Sequence, residues 1–237
     1  MTPPPATALI APTGTLRVVI NLGNPVLAQG TAEEPRGVTV EIAHAVADWL
    51  GVPLALQCVD RAGDAYEAVA AGEVDLCFLA NEPAREEHVA FTEPYVLIEG
   101  VYVADADSPL TSSTEVDRAG VRVGVREGSA YDLFLTRTVE HAEVVRAAEA
   151  TDVYEEQGLD VAAGVRQPME AYVAATGRRI LEPAFMQINQ AVGLPRAADP
   201  SALAALAQLV EELKASGFVR DALARGGVAA TVAPAAG

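Results

Sequence analysis

Basic residues are scarce in this chain of 237 residues, where 16 Lys and Arg face 33 Asp and Glu and the formal charge is −17 at pH 7. Only one of those 16 is a lysine, Lys214. Nucleic acids and anionic membrane surfaces attract proteins through clusters of positive charge. The charge balance therefore argues against both as partners.

Cysteine and histidine are also few. Cys58 and Cys77 lack the CxxC spacing of a zinc site and cannot make a disulfide framework, so we expect two buried free thiols. His44, His88 and His141 are scattered and lie outside any HExxH-like motif. The sequence predicts neither a metal site nor a cofactor.

Long apolar runs are missing as well. No stretch approaches the ~18 residues that a transmembrane helix needs, so we expect no insertion into a membrane. The first residues, MTPPPATALIAPTG, have neither the basic nor the apolar segment of an intact secretory signal. Two alternatives stay open: the chain works in the cytosol, or an export signal was removed or lost.

What the sequence does contain is enough apolar residues, 51%, to bury the core of one large domain or two small ones. Short apolar runs alternate with segments of helical periodicity, which predicts an α/β fold of doubly wound units. In the first unit the pattern predicts strands at 16–21, 54–59 and 74–80 and helices at 38–50 and 64–71.

A second unit is expected after the polar stretch 105–120. There a strand at 121–125 leads into Gly128, Ser129 and Ala130 and then a helix, an arrangement that presents backbone N–H groups to an anion. The alternative is an ordinary strand-to-helix turn without a ligand. Further strands are predicted at 159–165 and 187–194, a helix at 202–215, and a frayed tail from 226 onwards.

The segment 75–95, DLCFLANEPAREEHVAFTEPY, places Arg85 on a loop directly after a buried strand. Ligands of open α/β sheets collect at the carboxyl ends of strands, where a guanidinium can grip a carboxylate or phosphate. The alternative is a surface arginine paired with Glu82, Glu86 or Glu87.

Several motifs together resemble the bilobed solute-binding proteins of bacterial ABC importers, in the class that binds polar amino acids. They are GTLRVVIN, GVTVEIAHAVADWLGV, AVAAGEVDLCFLANEPAREEHVAFTEPYVLIEGV, GVRVGVREGSAYDLFL and LVEELKASGFVRDAL. The resemblance implies a periplasmic binding protein fold of type II, in which two α/β lobes joined by a two-strand hinge close over a solute. Lobe one would hold 1–100 and 191–237, and lobe two 101–190, with crossings near 99–104 and 189–193.

The same resemblance implies roles for individual residues. Arg85 would clamp the carboxylate of the solute, and the backbone amides of Ser129 and Ala130 would hold the same group. The implied strand order puts the first strand between the second and third, so that Cys58 and Cys77 lie about 10 Å apart, too far for a disulfide.

Departures from the family's pattern bear on the solute. The loop NLGNPVLAQ offers Asn24 but no aromatic residue, and Thr39 replaces an acid at the helix start. Arg166 and Gln167 stand where an aspartate for the solute's ammonium is expected. An arginine there would repel an ammonium, which favours anionic or neutral groups at that end. Two alternatives remain for Arg166, solute contact or an ion pair with Glu170, and Glu170 itself is a candidate partner for a solute cation.

On this interpretation the protein captures a small carboxylate-bearing solute without chemistry. It would act as a monomer, deliver the solute to the membrane subunits of an importer, and lie in the periplasm or outside the cell. A dehydratase of the same fold, with Glu170 or Glu82 as the acid, and a sensor domain are the alternatives. The predicted solute contacts are Arg85, Ser129, Ala130, Asn21, Asn24, Thr39, Asn81, Tyr95 and Arg166.

Overall fold

The computed structural model describes residues 6–236, and the chain divides into two compact units. Unit 1 contains the described residues up to Leu97 and those from Asn189 onwards, and unit 2 is Ile98–Ile188. The helices are α1 (Thr7–Ile10), α2 (Val38–Leu50), α3 (Ala62–Ala70), α4 (Ala130–Thr138), α5 (Ala150–Gln157), α6 (Arg166–Thr176), α7 (Pro200–Ala215) and α8 (Phe218–Arg225).

The strands are β1 (Leu16–Asn21), β2 (Gln29–Gly30), β3 (Pro35–Arg36), β4 (Leu54–Val59), β5 (Leu76–Ala80), β6 (Val89–Phe91), β7 (Val96–Ala104), β8 (Arg122–Arg126), β9 (Glu143–Ala147), β10 (Val161–Val165), β11 (Arg179–Pro195) and β12 (Thr231–Val232). Two 3₁₀ turns cover Pro83–Arg85 and Ser113–Glu115. This mixed architecture confirms the predicted α/β fold class. Among the helices of residues 6–236, none combines the length and the apolar composition that crossing a bilayer requires.

Unit 1 is built around β1, which runs parallel to β4 on one side and β5 on the other. The predicted strand order is therefore confirmed, and Cys58 on β4 and Cys77 on β5 are both free thiols. Cys77 is fully buried, which raises its pKa to about 12. Cys58 is only partly buried, so the prediction of two buried thiols is wrong for this residue.

The helix α2 covers unit 1 with the apolar face that its spacing predicts. Val38, Ile42, Val46 and Leu50 are all buried on it. Its end is fixed by Gly51, which has a φ of 69° and donates its N–H to the last turn.

Unit 2 has β10 at its centre, antiparallel to β7 and parallel to β8, which in turn pairs in parallel with β9. One cluster of buried side chains on this sheet includes Val101, Val103, Val153, Tyr154, Leu159, Ala162 and Met169. These residues come from β7, α5, β10, α6 and the connection before β10, so the cluster packs α5 and the start of α6 onto the sheet. The junction of β10 and α6 carries Arg166.

The C-terminal segment is ordered, which contradicts the predicted frayed tail. The strand β12 pairs antiparallel with the first residues of β7, and Ala233, only 4% exposed, donates its N–H to Tyr95 O at 3.1 Å. The amide of Ala236 donates to Glu211, which also pairs with the buried Lys214 at 2.5 Å. The C-terminal segment therefore lies against Tyr95 and the first residues of β7.

Truncating the chain after Gly227 should lower the free energy of unfolding of unit 1 by about 2 kcal/mol, since it removes several backbone hydrogen bonds worth roughly 1 kcal/mol each. Urea unfolding followed by circular dichroism measures the change. Truncation after Ala233 is the matched control, because it keeps β12 and should cost at most about 0.5 kcal/mol. Equal stability of both truncated chains and the full chain would show that β12 contributes nothing.

Candidate functional site

Arg85 lies just beyond β5, whose five residues are all buried. It ends a 3₁₀ turn, is only 3% exposed, and donates from Nη1 to Ala80 O at 3.2 Å. Burial lowers the pKa of Arg85 to about 10, against the opposing effects of Cys77, Glu82 and Tyr66. The guanidinium therefore stays protonated at neutral pH.

The acidic neighbours of Arg85 differ from one another in exposure. Glu86 and Glu87 are exposed whereas Arg85 is buried, so the alternative of a surface arginine is wrong. Glu82 is only 6% exposed, and its charge acts on Arg85. Burying a guanidinium is costly unless charged or polar groups compensate it. Arg85 at the end of β5 is therefore not an ordinary arginine of a surface ion pair.

Asn81 is the residue that directly follows β5. Its N–H donates to Asn189 O at 2.9 Å, while its side-chain Oδ1 is buried and has no hydrogen-bond partner among residues 6–236. Buried acceptors nearly always have a hydrogen-bond partner, so one without a partner at the end of a strand is unusual. It can accept from an N–H or O–H of a bound molecule.

Tyr95 is a core residue of unit 1. Its side chain has no exposed surface, and its ring meets Phe78 edge-to-face with centroids 6.0 Å apart. Burial raises the pKa of the Tyr95 hydroxyl above its usual range. Its hydroxyl, like Asn81 Oδ1, is buried without a hydrogen-bond partner among the described residues, and a solute contact from Tyr95 stays a prediction.

The two asparagines of the first loop fix the backbone of that loop. Asn21 Oδ1 accepts from Gly23 N at 3.0 Å, and Asn24 Oδ1 accepts from Val26 N at 3.2 Å. Both are Asx-type turns, in which a side chain replaces a backbone acceptor. Their carbonyl oxygens are therefore engaged, and a solute contact from either residue stays a prediction.

Thr39 has a similar internal role. It is 3% exposed, and both its N–H and its Oγ1 donate to Leu27 O at 3.2 Å. The preceding Gly37 has a φ of 113° and begins α2 without a side-chain cap. Thr39 therefore joins the first loop to α2, and a solute contact from this residue stays a prediction.

In unit 2 the turn before α4 has the predicted form. Ser129 is the N-cap and accepts from Asp132 N at 3.1 Å through its Oγ. The amide of Ser129 donates to Arg126 O at 3.2 Å and that of Gly128 donates to Asp132 Oδ2 at 2.9 Å. The sequence predicts that the amides of Ser129 and Ala130 bind the carboxylate of the solute. The N–H of Ala130 lies in the first turn of α4, where an α-helix provides no backbone acceptor. The Ser129 amide is used within the turn.

Asp132 places a negative charge beside this turn, which works against the binding of an anion there. It is 4% exposed, and its Oδ1 lies 2.9 Å from Arg146 Nε. Arg146 thus compensates the carboxylate. The spacing from Ser129 to Asp132 is close to that of a capping box, so the sequence contained a signal that Asp132 belongs to this turn. No sequence pattern indicated that Arg146 on β9 pairs with it.

Arg166, the first residue of α6, faces three carboxylates in unit 2. It binds Glu182 with two parallel hydrogen bonds at 2.8 and 3.0 Å, contacts Glu99 through Nε, and lies 3.9 Å from Glu170. The pKa of Glu182 is lowered by its hydrogen bond to Arg166. The ion-pair alternative is present in the structure, but its main members are Glu99 and Glu182, which sequence reasoning missed.

This arrangement changes the electrostatic argument about the solute. One cation facing three carboxylates gives the region around Arg166 a negative sum, so Arg166 is not an unopposed positive charge that would repel an ammonium. The preference for an anionic group at that end therefore loses its basis.

The two acids considered for a dehydratase have other neighbours. Glu82 is buried beside Arg85, and Glu170 is 54% exposed near Arg166. Within residues 6–236 no group of three or more His, Cys, Asp or Glu side chains is arranged to hold a metal ion.

Comparison with solved structures identifies the fold. The solute receptor for L-cysteine of Neisseria gonorrhoeae has a TM-score of 0.77 at 20% identity, covering 93% of this chain and 92% of that one. A histidine kinase sensor domain similar to periplasmic binding proteins has a TM-score of 0.77 at 17% identity, covering 92% and 98%. The ancestral amino acid-binding protein AncCDT-1, a precursor of cyclohexadienyl dehydratase, has a TM-score of 0.73 at 20% identity, covering 92% and 98%.

Comparison at the sequence level gives the family. None of the curated proteins matches the chain. The family model described as bacterial extracellular solute-binding proteins, family 3, matches residues 16–225. That range spans β1 to the end of α8 and therefore both units. The chain belongs to the family 3 bacterial extracellular solute-binding proteins.

Proposed function

We propose that this protein captures a small carboxylate-bearing solute, an amino acid or a related organic acid, and delivers it to the membrane subunits of an ABC importer without changing it chemically. The observation that carries the proposal is the buried, protonated guanidinium of Arg85 at the carboxyl end of β5. The planar fork of an arginine matches a carboxylate with two parallel hydrogen bonds, and low polarity around it strengthens each bond.

A second element that would suit an anion is the first turn of α4 in unit 2, where Arg146 compensates the nearby charge of Asp132. The helix is nine residues long, and the first-turn amides of such a helix favour negative charge. Ala130 supplies the relevant N–H, while Ser129 caps the helix.

The part of the solute next to its carboxylate is constrained by Asn81. Its buried Oδ1 has no hydrogen-bond partner among the described residues, so a solute that brings an N–H or O–H would satisfy it. An amino acid does so, and the relatives with solved structures include an L-cysteine receptor. The negative surroundings of Arg166 are compatible with the cationic amine of such a solute.

Two other functions occur among similar structures. A sensor domain would use the same capture of a solute and report it to a partner rather than an importer. A dehydratase would need a carboxylic acid placed to protonate a leaving hydroxyl, whereas Glu82 is buried beside Arg85 and Glu170 is 54% exposed near Arg166. We therefore place solute capture first, and absence of prephenate and arogenate turnover by the purified protein is the expected result.

The solute itself can be identified directly. Mass spectrometry of small molecules released by denaturing freshly purified protein should find an amino acid or organic acid. Calorimetry with L-glutamate, L-glutamine, L-cysteine, L-arginine and succinate should then show saturable binding of at least one. The C-terminal amide of the best amino acid is the matched control, and it should bind roughly 100-fold more weakly because it cannot pair with a guanidinium. Equal binding of acid and amide would contradict the carboxylate clamp.

The importer role needs a separate test in cells. Deleting the gene should abolish uptake of the identified solute at low concentration, because importers of this kind depend on their binding protein. Unchanged uptake together with altered transcription in response to the solute would favour the sensor.

A further inference from the structure

The chain passes between the two units twice, within β7 and within β11. The first passage is between Leu97 and Ile98, and the second between Ile188 and Asn189. Glu99 lies two residues beyond the first passage, and Glu182 lies six residues before the second. Both glutamates belong to unit 2, and both contact Arg166.

Arg166 therefore joins three elements with one guanidinium. From the first position of α6 it reaches Glu99 on β7 through Nε and Glu182 on β11 through Nη1 and Nη2, at 2.8 and 3.0 Å. The fork geometry restrains orientation as well as distance, which a single lysine ammonium would not do. The strands β11, β7 and β10 are neighbours in the sheet, and Arg166 adds a side-chain link between β7, β11 and the end of β10.

The position of Arg166 is unfavourable in the absence of these contacts. A cation at the N-terminus of a helix opposes the helix dipole, and this helix has no side-chain cap. Ordering a long arginine side chain also costs conformational entropy. Its side chain is nevertheless 21% exposed and held by two carboxylates from different strands. Because the contacts with Glu99 and Glu182 offset both the dipole and the entropy cost, they differ from an incidental ion pair on the surface.

Side chains of β11 pack closely against the backbone of β7 at Gly100. A methyl group added at Gly100, the residue after Glu99, would lie 2.6 Å from Met186 Cγ and 3.1 Å from Phe185 Cζ. The absence of a side chain at Gly100 thus lets side chains of β11 lie against β7.

We infer that Arg166 is a positioning residue that holds β7 and β11 together in unit 2, beside both passages of the chain. The two connections then change their backbone torsions as a pair rather than independently. If solute capture requires movement at these connections, which rests on the proposed function, Arg166 sets how readily a captured solute is released.

Hydrogen–deuterium exchange of the full chain without added solute tests the positioning role whether or not the proposed function is right. Arg166→Met and Glu182→Gln should each raise the exchange rates of β7 and of residues 179–188 by about fivefold, because local opening becomes easier. Peptides from β1, β4 and β5 should not change. Glu170→Gln is the matched control and should match the wild type, since Glu170 is 3.9 Å from Arg166.

Two outcomes of this measurement would overturn the inference. One is unchanged exchange in β7 and residues 179–188 in both Arg166→Met and Glu182→Gln. The other is a uniform increase over the whole of unit 2, which would show a general loss of stability rather than a local release of two strands. Arg166→Lys should fall between wild type and Arg166→Met, because it keeps the charge and loses the fork.

Binding of L-glutamate separates this role from a direct solute contact. If Arg166 acts through the strands, Arg166→Met and Glu182→Gln should change the dissociation rate of L-glutamate by the same factor. If Arg166 touches the solute, Arg166→Met should weaken binding while Glu182→Gln leaves it unchanged or tightens it, and the inference fails. Should wild-type protein not bind L-glutamate, the exchange measurement alone decides.

Discussion

Replacing Arg85 with methionine should weaken the binding of the carboxylate solute by at least about 100-fold, since a buried, charge-assisted pair contributes roughly 2–5 kcal/mol to binding. Methionine keeps much of the volume of the side chain but provides no donor. Calorimetry with the solute identified by mass spectrometry measures the loss. The effect should be similar at pH 7 and pH 9, because the pKa of Arg85 is about 10 and the guanidinium is protonated at both.

Two control variants make this result specific. Arg85→Lys keeps a positive charge as a single ammonium and should lose about tenfold in affinity. Arg220→Met removes an arginine whose side chain is 71% exposed, and it should bind like the wild type. If Arg85→Met binds the solute with wild-type affinity, Arg85 is a structural residue and the carboxylate clamp is wrong.

The stability of Arg85→Met has to be measured beside its affinity. Glu82 is 6% exposed, and its charge interacts with that of Arg85, so removing Arg85 takes an opposite charge away from a buried carboxylate. Leaving a carboxylate buried without compensation is destabilising. Urea unfolding should therefore show reduced stability, and affinities are compared only under conditions where each variant remains folded. The double variant Arg85→Met with Glu82→Gln should recover part of the stability but none of the affinity.

Local sequence patterns predicted the elements that have a regular spacing of apolar residues. The helix α2 and the strands β1 and β4 have the predicted bounds, because apolar spacing and the stop at Gly51 are local signals. The strand β9 was not predicted, and its sequence EVVRA is partly exposed and carries two charged residues. The helix α6 was not predicted either. It contains Pro168, which only its first turn tolerates.

Order in the C-terminal tail could not be read from the tail itself. Its sequence is rich in alanine and glycine, which suggests fraying, yet β12 is held by Val96 and Leu97, more than a hundred residues earlier in the chain. Such a partner is non-local information that one sequence does not provide. The same limitation applies to Arg166, since its contact with Glu99 spans 67 residues.

The candidate site was predicted in part for the same reason. A buried strand followed by an arginine is a local pattern, and the structure places Arg85 at the end of β5 as expected. The burial of Arg85 was not predictable, because burial depends on packing by elements distant in sequence, and Tyr66 of α3 is among the groups that act on its charge. Thr39 and Tyr95 are buried like Arg85, and their burial likewise depends on packing that the local sequence does not show.

Gly37→Ala should lower the free energy of unfolding by about 3 kcal/mol or more, because two penalties coincide at this position. Gly37 has φ 113° and ψ 176°, a region that only glycine occupies at low energy. A methyl group there would also lie 2.6 Å from Leu27 O. That oxygen accepts two hydrogen bonds from Thr39 at 3.2 Å. The first loop and the start of α2 must separate to accommodate the substitution.

Alanine substitutions at two other glycines separate the backbone penalty at Gly37 from the steric penalty. Gly51, at the other end of α2, has a φ of 69° with nothing near an added methyl group, so Gly51→Ala should cost only about 1 kcal/mol. Gly63 lies within α3 in open space, and Gly63→Ala should be neutral or stabilising by up to about 1 kcal/mol. Urea unfolding of the three variants measures the series. A cost for Gly37→Ala no greater than that for Gly51→Ala would mean that the contact with Leu27 relaxes freely. The first loop would then not be fixed by α2, and Asn21 and Asn24 would be free to take other positions than those in the structure.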